Sequence, residues 1–256
     1  MGIDLSGLTA LAPTLVFGAF SVFCRISAAI SLLPGFGERT IPVRVKLAAA
    51  LGASMALWPL VERHIGAMPE AIPDLALVLL GEIGAGLLFG LWVRLMILAL
   101  QMAGAIIGQH LSISALFSGP TAPDPETSFA TFLSITGITL LLVTGVHLDI
   151  FIALAGTYEV LPWGILPNAE DAAASILDRG SLAIKLGFQL SLPFVVASFV
   201  YNLCLGAMNR AMPQLLVSLI GAPALVGGGL LLFMLALPLI LNVWRRSVET
   251  TLAGLG

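Results

Sequence analysis

Seven ionisable side chains stand inside or beside long apolar runs of this chain: Arg25, Glu82, Arg94, His147, Asp149, Lys185 and Arg210. At membrane depth each costs on the order of 2.5–3.5 kcal/mol on insertion scales, so each needs a partner or a wet surface. Two kinds of chemistry answer that need, a structural polar contact or a passage for protons or substrate, and residue types alone leave both open. Glu82 and Arg94 are twelve residues apart, which on one helix separates them by about 18 Å along the axis. They therefore do not pair with each other, and each is expected to meet another segment or a neighbouring subunit. His147 and Asp149, two apart, project from nearly opposite faces of a helix and cannot form a metal or acid–base site unaided. His110 has no Cys or His at ligand spacing, and no nucleophile elbow, Walker loop or HExxH motif occurs. The expectation is a protein with no enzymatic chemistry, no metal and no cofactor.

The background to these few charges is oily. Hydrophobic residues make up 59% of the 256 and charged residues 10%, with a mean hydropathy of +1.06. Ordinary soluble domains hold roughly 45–50% and about 25%. A globule of this size still needs a polar shell, so the chain reads as a membrane protein or an obligate part of a hydrophobic assembly. A net charge of −3 suggests no nucleic-acid surface. Cys24 and Cys204 each lie in an apolar run and read as small core hydrophobes. The opening Met1-Gly2-Ile3-Asp4-Leu5 lacks the basic stretch of a secretory signal, so the first apolar run is expected to stay in the mature chain.

A spanning helix needs about 20 mainly apolar residues. Residues 8–33, 75–100, 129–155, 182–211 and 214–243 meet or exceed that length, and 47–61 forms a shorter piece. These runs are too long and too rich in Leu and Ala for barrel strands of about 10 residues. The expected class is all-α: a polytopic membrane protein of broken helices and helical hairpins, in a single domain, 1–256. Residues 159–180 read as an acidic connector. Gly221-Ala-Pro223 and the triplet Gly227–Gly229 are expected to break the last apolar run. Arg39, Arg44 and Lys46 would place the first loop in the cytoplasm, and Arg245-Arg246 the C-terminal end. Simple alternation of spans does not deliver both, as expected if some helices do not cross fully.

Glycine adds a second pattern. Gly86 and Gly90 form one GxxxG and Gly104 and Gly108 another, which allows close helix approach within the chain or between subunits. Residues 101–123 mix Gly, Ser, Gln and His with apolar side chains. Irregular backbone at membrane depth must be buried in protein or line a cavity. A pore-lining or plugging loop and a re-entrant packing turn both satisfy that condition.

Several short motifs, in order, resemble the FliR/SctT family of export-gate subunits of flagellar and virulence type III secretion systems. They are Arg25 with Pro34-Gly-Phe-Gly37 and Pro42-Val-Arg44; Glu82 with Gly86 and Gly90; Gln101-Met-Ala-Gly104 with Ile107-Gly-Gln109; Asp124-Pro125; Gly145-Val-His147; Leu161-Pro162; and Asn209-Arg210-Ala-Met-Pro213-Gln214 with Gly221-Ala-Pro223. The likeness covers nearly the whole length. It implies a fusion of a FliP-like part, 1–180, and a FliQ-like hairpin, 181–256, within a helical assembly raised from the bilayer around an export channel. Implied partners are FliP- and FliQ-like gate subunits, an FlhB-like switch protein, an FlhA-like export component and exported unfolded proteins. The implied place is the bacterial inner membrane, at the flagellar basal body.

The same resemblance makes the loop 108–123 a channel plug, with Gly108, Gln109, Ser112, Ser114 and Phe117 as candidate gating residues. Arg25, Glu82 and Arg94, as charges in apolar runs, are expected to be buried polar or subunit contacts. The resemblance places a partner at the turn containing Asn209, Arg210, Pro213 and Gln214. Ser112 stands where the family usually has glycine, and Val146-His147 replaces a paired histidine. A stand-alone secondary transporter, with 221–229 as a broken helix at a substrate site, is the alternative from another class.

Overall fold

Long apolar runs can satisfy their backbone groups without water only by bonding internally, and helix is the outcome across the described apolar runs. The computed structural model describes residues 5–38, 41–111, 125–211 and 217–254. Among them are seven α-helices: α1 (Leu5–Leu32), α2 (Val43–Val61), α3 (Ile72–Leu111), α4 (Pro125–Thr144), α5 (Val146–Val160), α6 (Ala169–Ala211) and α7 (Val217–Ala253). A short 3-10 turn, Glu62–His64, follows α2, and no strand occurs among the described residues. Among the described residues, five helices are long and apolar enough to cross a membrane, or six spans if α4 and α5, bent at Gly145, count as one.

The helix ends follow local chemistry. After α1, the motif Pro34-Gly-Phe-Gly37 turns the chain sharply, with Gly35 at φ 85° and the Gly37 amide donating to the Leu33 carbonyl at 2.6 Å. Side chains rarely tolerate the Gly35 conformation. Gly145 ends α4 and opens α5 at φ 81°.

Three expectations about breaks are corrected. Residues 101–111 are not irregular but complete the 40-residue α3. The acidic connector is shorter than expected, because α6 already starts at Ala169. Helix α7 runs unbroken through 221–223 and the glycine triplet. Glycine and proline weaken a helix in water, but an apolar setting offers the backbone no competing partner.

The chain packs as two compact units. Unit 1 comprises Met1–Arg94, Thr144–Arg179 and Glu249–Gly256; unit 2 comprises Leu95–Val143 and Gly180–Val248. The core of unit 1 includes Val22, Ile26, Ile30, Phe89, Val93 and Leu154. Here α1 meets α3 closely: a side chain at Gly86 would overlap the Arg25 carbonyl oxygen, and one at Gly90 would lie 2.7 Å from that of Ala29. Unit 2 is organised around Trp244, which is fully buried and donates its indole N–H to the Met96 carbonyl at 2.8 Å. Phe129, Phe132 and Phe194 ring Phe233 at centroid distances of 5.1, 5.9 and 6.1 Å, favourable aromatic spacings. Gly104 allows α3 to approach α4, since a Cβ there would lie 2.6 Å from the Ala130 Cα. Gly86, Gly90 and Gly104 thus serve packing within the chain.

Candidate functional site

The densest polar structure lies inside unit 1. Arg25, two turns before the end of α1, and Glu82, from the third turn of α3, are both fully buried. They pair side by side: Arg25 Nε donates to Glu82 Oε2 and Nη2 to Oε1, each at 2.9 Å. This two-pronged geometry is the strong form of a carboxylate–guanidinium contact. The pair is then enclosed from the C-terminal end of α5 and the connector after it. Tyr158 donates its hydroxyl to Glu82 Oε2 at 2.9 Å, and the Gly164 amide donates to Oε1 at 3.1 Å. Arg25 Nη1 donates to the Thr157 hydroxyl at 3.2 Å and Nη2 to the Leu161 carbonyl at 3.0 Å.

Each carboxylate oxygen therefore accepts two hydrogen bonds, and the guanidinium spends donors on three different partners. The Tyr158 ring also lies beneath the Arg25 guanidinium, 3.6 Å from Cζ to the ring centroid, a cation–π contact strengthened by exclusion of water. A buried ion pair is tolerable only when its remaining donors and acceptors are met in this way. Chemically the arrangement holds charge in place. Both oxygens of Glu82 are committed, so the cluster is built as a fastening.

What it fastens is the connector 161–167. Gly164 takes φ 74° to aim its amide at Glu82. Trp163 donates its indole N–H to Ser21 Oγ at 2.9 Å and meets Phe17 edge-on at 6.3 Å. Gly81 leaves room for this strand of backbone, since a Cβ there would lie 2.9 Å from the Ile165 carbonyl oxygen. His64 stacks on Tyr158 at 6.1 Å, and its Nδ1 is buried without a hydrogen-bond partner among the described residues. Arg94, the third residue singled out by sequence, is half-buried and donates to the Leu32 carbonyl at 3.4 Å. It takes no part in the cluster.

A model of the family described as bacterial export proteins, family 1, matches residues 16–251 of the chain. The chain belongs to that family. Among its relatives, the flagellar biosynthetic protein FliR of Caulobacter vibrioides is 34% identical over 230 residues, covering 90% of this chain and 92% of that protein. The protein of the same name from Pectobacterium carotovorum is 34% identical, over 86% of this chain and 84% of its own. That of Escherichia coli is 30% identical over 84% and 82%.

In this member of the bacterial export proteins, the other residues singled out by sequence are scattered. Gly108 is buried and Gln109 exposed, both helical in the last turns of α3. Ser112, Ser114 and Phe117 lie outside the described residues, as do Pro213 and Gln214. Asn209 and Arg210 belong to the last turn of α6, with Arg210 exposed. Lys185 and Asp149 are exposed, and His147 is half-buried. Among the described residues no group of three metal-ligating side chains comes together. Sequence reasoning missed Thr157, Tyr158, Trp163 and Gly164. The available signal was modest: one of only two tyrosines, followed by a Trp-Gly pair between Pro162 and Pro167.

Proposed function

We propose that this chain is a structural and gating subunit of the flagellar type III protein export gate, helping to form the channel through which unfolded flagellar proteins leave the cell. The observation that carries this is near full-length relationship to proteins named flagellar biosynthetic protein FliR, with 90% of this chain and 92% of the Caulobacter vibrioides protein aligned. Those names favour the flagellum over a virulence system. In this reading the chain has no enzymatic role. It works in the bacterial inner membrane with FliP- and FliQ-like subunits, an FlhB-like switch protein and an FlhA-like export component.

Helix length supports an assembly instead of a simple stack of spans. The α3, α6 and α7 helices contain 40, 43 and 37 residues, which at 1.5 Å per residue is about 55–65 Å. A bilayer core is about 30 Å thick, so much of each helix must be covered by protein or reach beyond lipid. Exposed apolar residues along α6 and α7, such as Phe188, Leu192, Phe199, Leu231, Met234 and Leu235, supply surface for such cover. In the FliP–FliQ fusion scheme, 1–180 is the FliP-like part and 181–256 the FliQ-like hairpin, with the Asn209–Gln214 turn meeting the switch protein.

Residues 108–123, with Gln109, Ser114 and Phe117, act as the channel plug. Native mass spectrometry after co-expression with the FliP- and FliQ-like proteins of the same organism tests the assignment. One copy of this chain in a stable mixed complex is expected, and a well-behaved particle of this chain alone would overturn it. Deleting 112–117 is expected to raise ion leakage through the assembled gate. Unchanged conductance in that deletion would remove the plug role.

A further inference from the structure

Helix α2 differs from α3, α6 and α7 in length. Its 19 residues cover about 28 Å, against about 30 Å for a bilayer core, so it fits lipid without needing cover at its ends. Ala50, Ser54, Leu57 and Val61 are buried and form its inner stripe. Away from that stripe, Val45, Leu51, Met55 and Leu60 are exposed, Met55 to 76%. The small residues Ala48, Gly52 and Ala56 lie between them, exposed as well. No charged residue interrupts the helix from Leu47 to Val61.

The charges gather at one end. Gly18 of α1 lies against Trp58 and Ile65, so α2 runs back along α1 and starts beside the end of α1. Arg44 is exposed and Lys46 half-buried in the first turn of α2. Arg94 reaches the same end, since its guanidinium meets the carbonyl of Leu32, the last residue of α1. None of the three cations forms an ion pair among the described residues, and the acidic residue of the connector 33–42 is Glu38. An apolar face of bilayer length that ends in unpaired cations matches a lipid whose acyl chains lie beside a phosphate. A protein partner would have to bring both an apolar stripe and carboxylates to that end. We propose that the outer face of α2 is a lipid contact, and that its basic end selects anionic phospholipid headgroups through Arg44 and Lys46.

This rests on the membrane location within the proposed function. The test uses the full-length chain co-expressed with its gate partners and reconstituted in nanodiscs. A bimane label is placed on Met55→Cys, with every other cysteine of the complex replaced. Phosphatidylglycerol and phosphatidylcholine, each brominated at mid-chain, are compared as quenchers. Quenching by both is expected, with the anionic lipid favoured at least about fivefold, the worth of one cation near the surface. Arg44→Gln with Lys46→Gln is expected to remove that preference and keep the quenching. Absence of quenching would mean that a protein subunit covers α2, and would overturn the proposal. Equal quenching by the two lipids, or a preference unchanged in the double variant, would overturn the headgroup site. Native mass spectrometry of the same preparation shows whether the mixed gate forms, so a failure of the export reading is seen separately from a failure of the lipid site.

Discussion

The two tyrosines of this chain occupy contrasting polar sites. In unit 1, Tyr158 gives its hydroxyl to a carboxylate whose every remaining acceptor position is taken. In unit 2, the Tyr201 hydroxyl is as well hidden from water but has no partner among the described residues, beside a half-open pocket of about 180 Å³. Buried polar groups stiffen a structure when fully matched and are costly when they are not. The first site is therefore a place where the fold is decided, and the second a place where a polar group is buried without helping to decide it.

The largest expected effect comes from breaking the matched site on one side. Glu82→Ala leaves Arg25, Tyr158 and Gly164 buried without their acceptor, and about 3–5 kcal/mol of stability should go with it. Gate assembly, followed by native mass spectrometry, should collapse. Replacing both charges together, Arg25→Met with Glu82→Leu, should recover most of the assembly, because two apolar groups of similar size leave no orphan charge. If the double variant is as damaged as Glu82→Ala, the cluster does more than hold the connector in place.

A middle effect is expected at the glycine that lets the pair form. Gly86→Val drives a side chain into the Arg25 carbonyl, which is backbone and cannot swing away. A loss of about 1–3 kcal/mol is expected, measured as a lower unfolding temperature of the assembled gate. Gly228→Val, with open space at the same atom, is the control and should leave that temperature nearly unchanged.

The two tyrosines compare directly, one with an effect of similar size and the other with the smallest. Tyr158→Phe removes a donor to a buried charge and should cost about 1.5–3 kcal/mol. Tyr201→Phe removes a hydroxyl that pairs with nothing among the described residues, so stability should hold or rise slightly. Equal losses in the two variants would mean that Tyr201 is satisfied by a bound water or by a neighbouring subunit.

Much of this was legible in the sequence, and the limits have physical causes. The helical class follows from run length alone, because hydrocarbon permits few other structures. Arg25, Glu82 and Arg94 announced themselves as charges that need partners. Who the partners are did not, since Arg25 and Glu82 are 57 residues apart and no local pattern encodes that distance. The Gly164 amide and the Leu161 carbonyl are backbone groups, which any residue carries, so composition is silent about them. The breaks at 221–229 were overread because glycine and proline penalties measured in water do not transfer to an apolar setting. The candidate gating residues rest on family resemblance, and the three after Leu111, Ser112, Ser114 and Phe117, lie outside the described residues.

The connector's hold on the ion pair also bears on how the protein is made. A chain emerging from the ribosome exposes its N-terminal portions first. Arg25 and Glu82 are thus synthesised well before Thr157, Tyr158, Leu161 and Gly164, and until those arrive the pair lacks two of the hydrogen bonds to Glu82 and two from Arg25. Nascent chains shorter than about 164 residues carry an incompletely compensated charge pair through membrane insertion. They are the stage at which quality-control proteases should find this subunit most vulnerable, and the arrival of the Trp163-Gly164 segment marks its release from that risk.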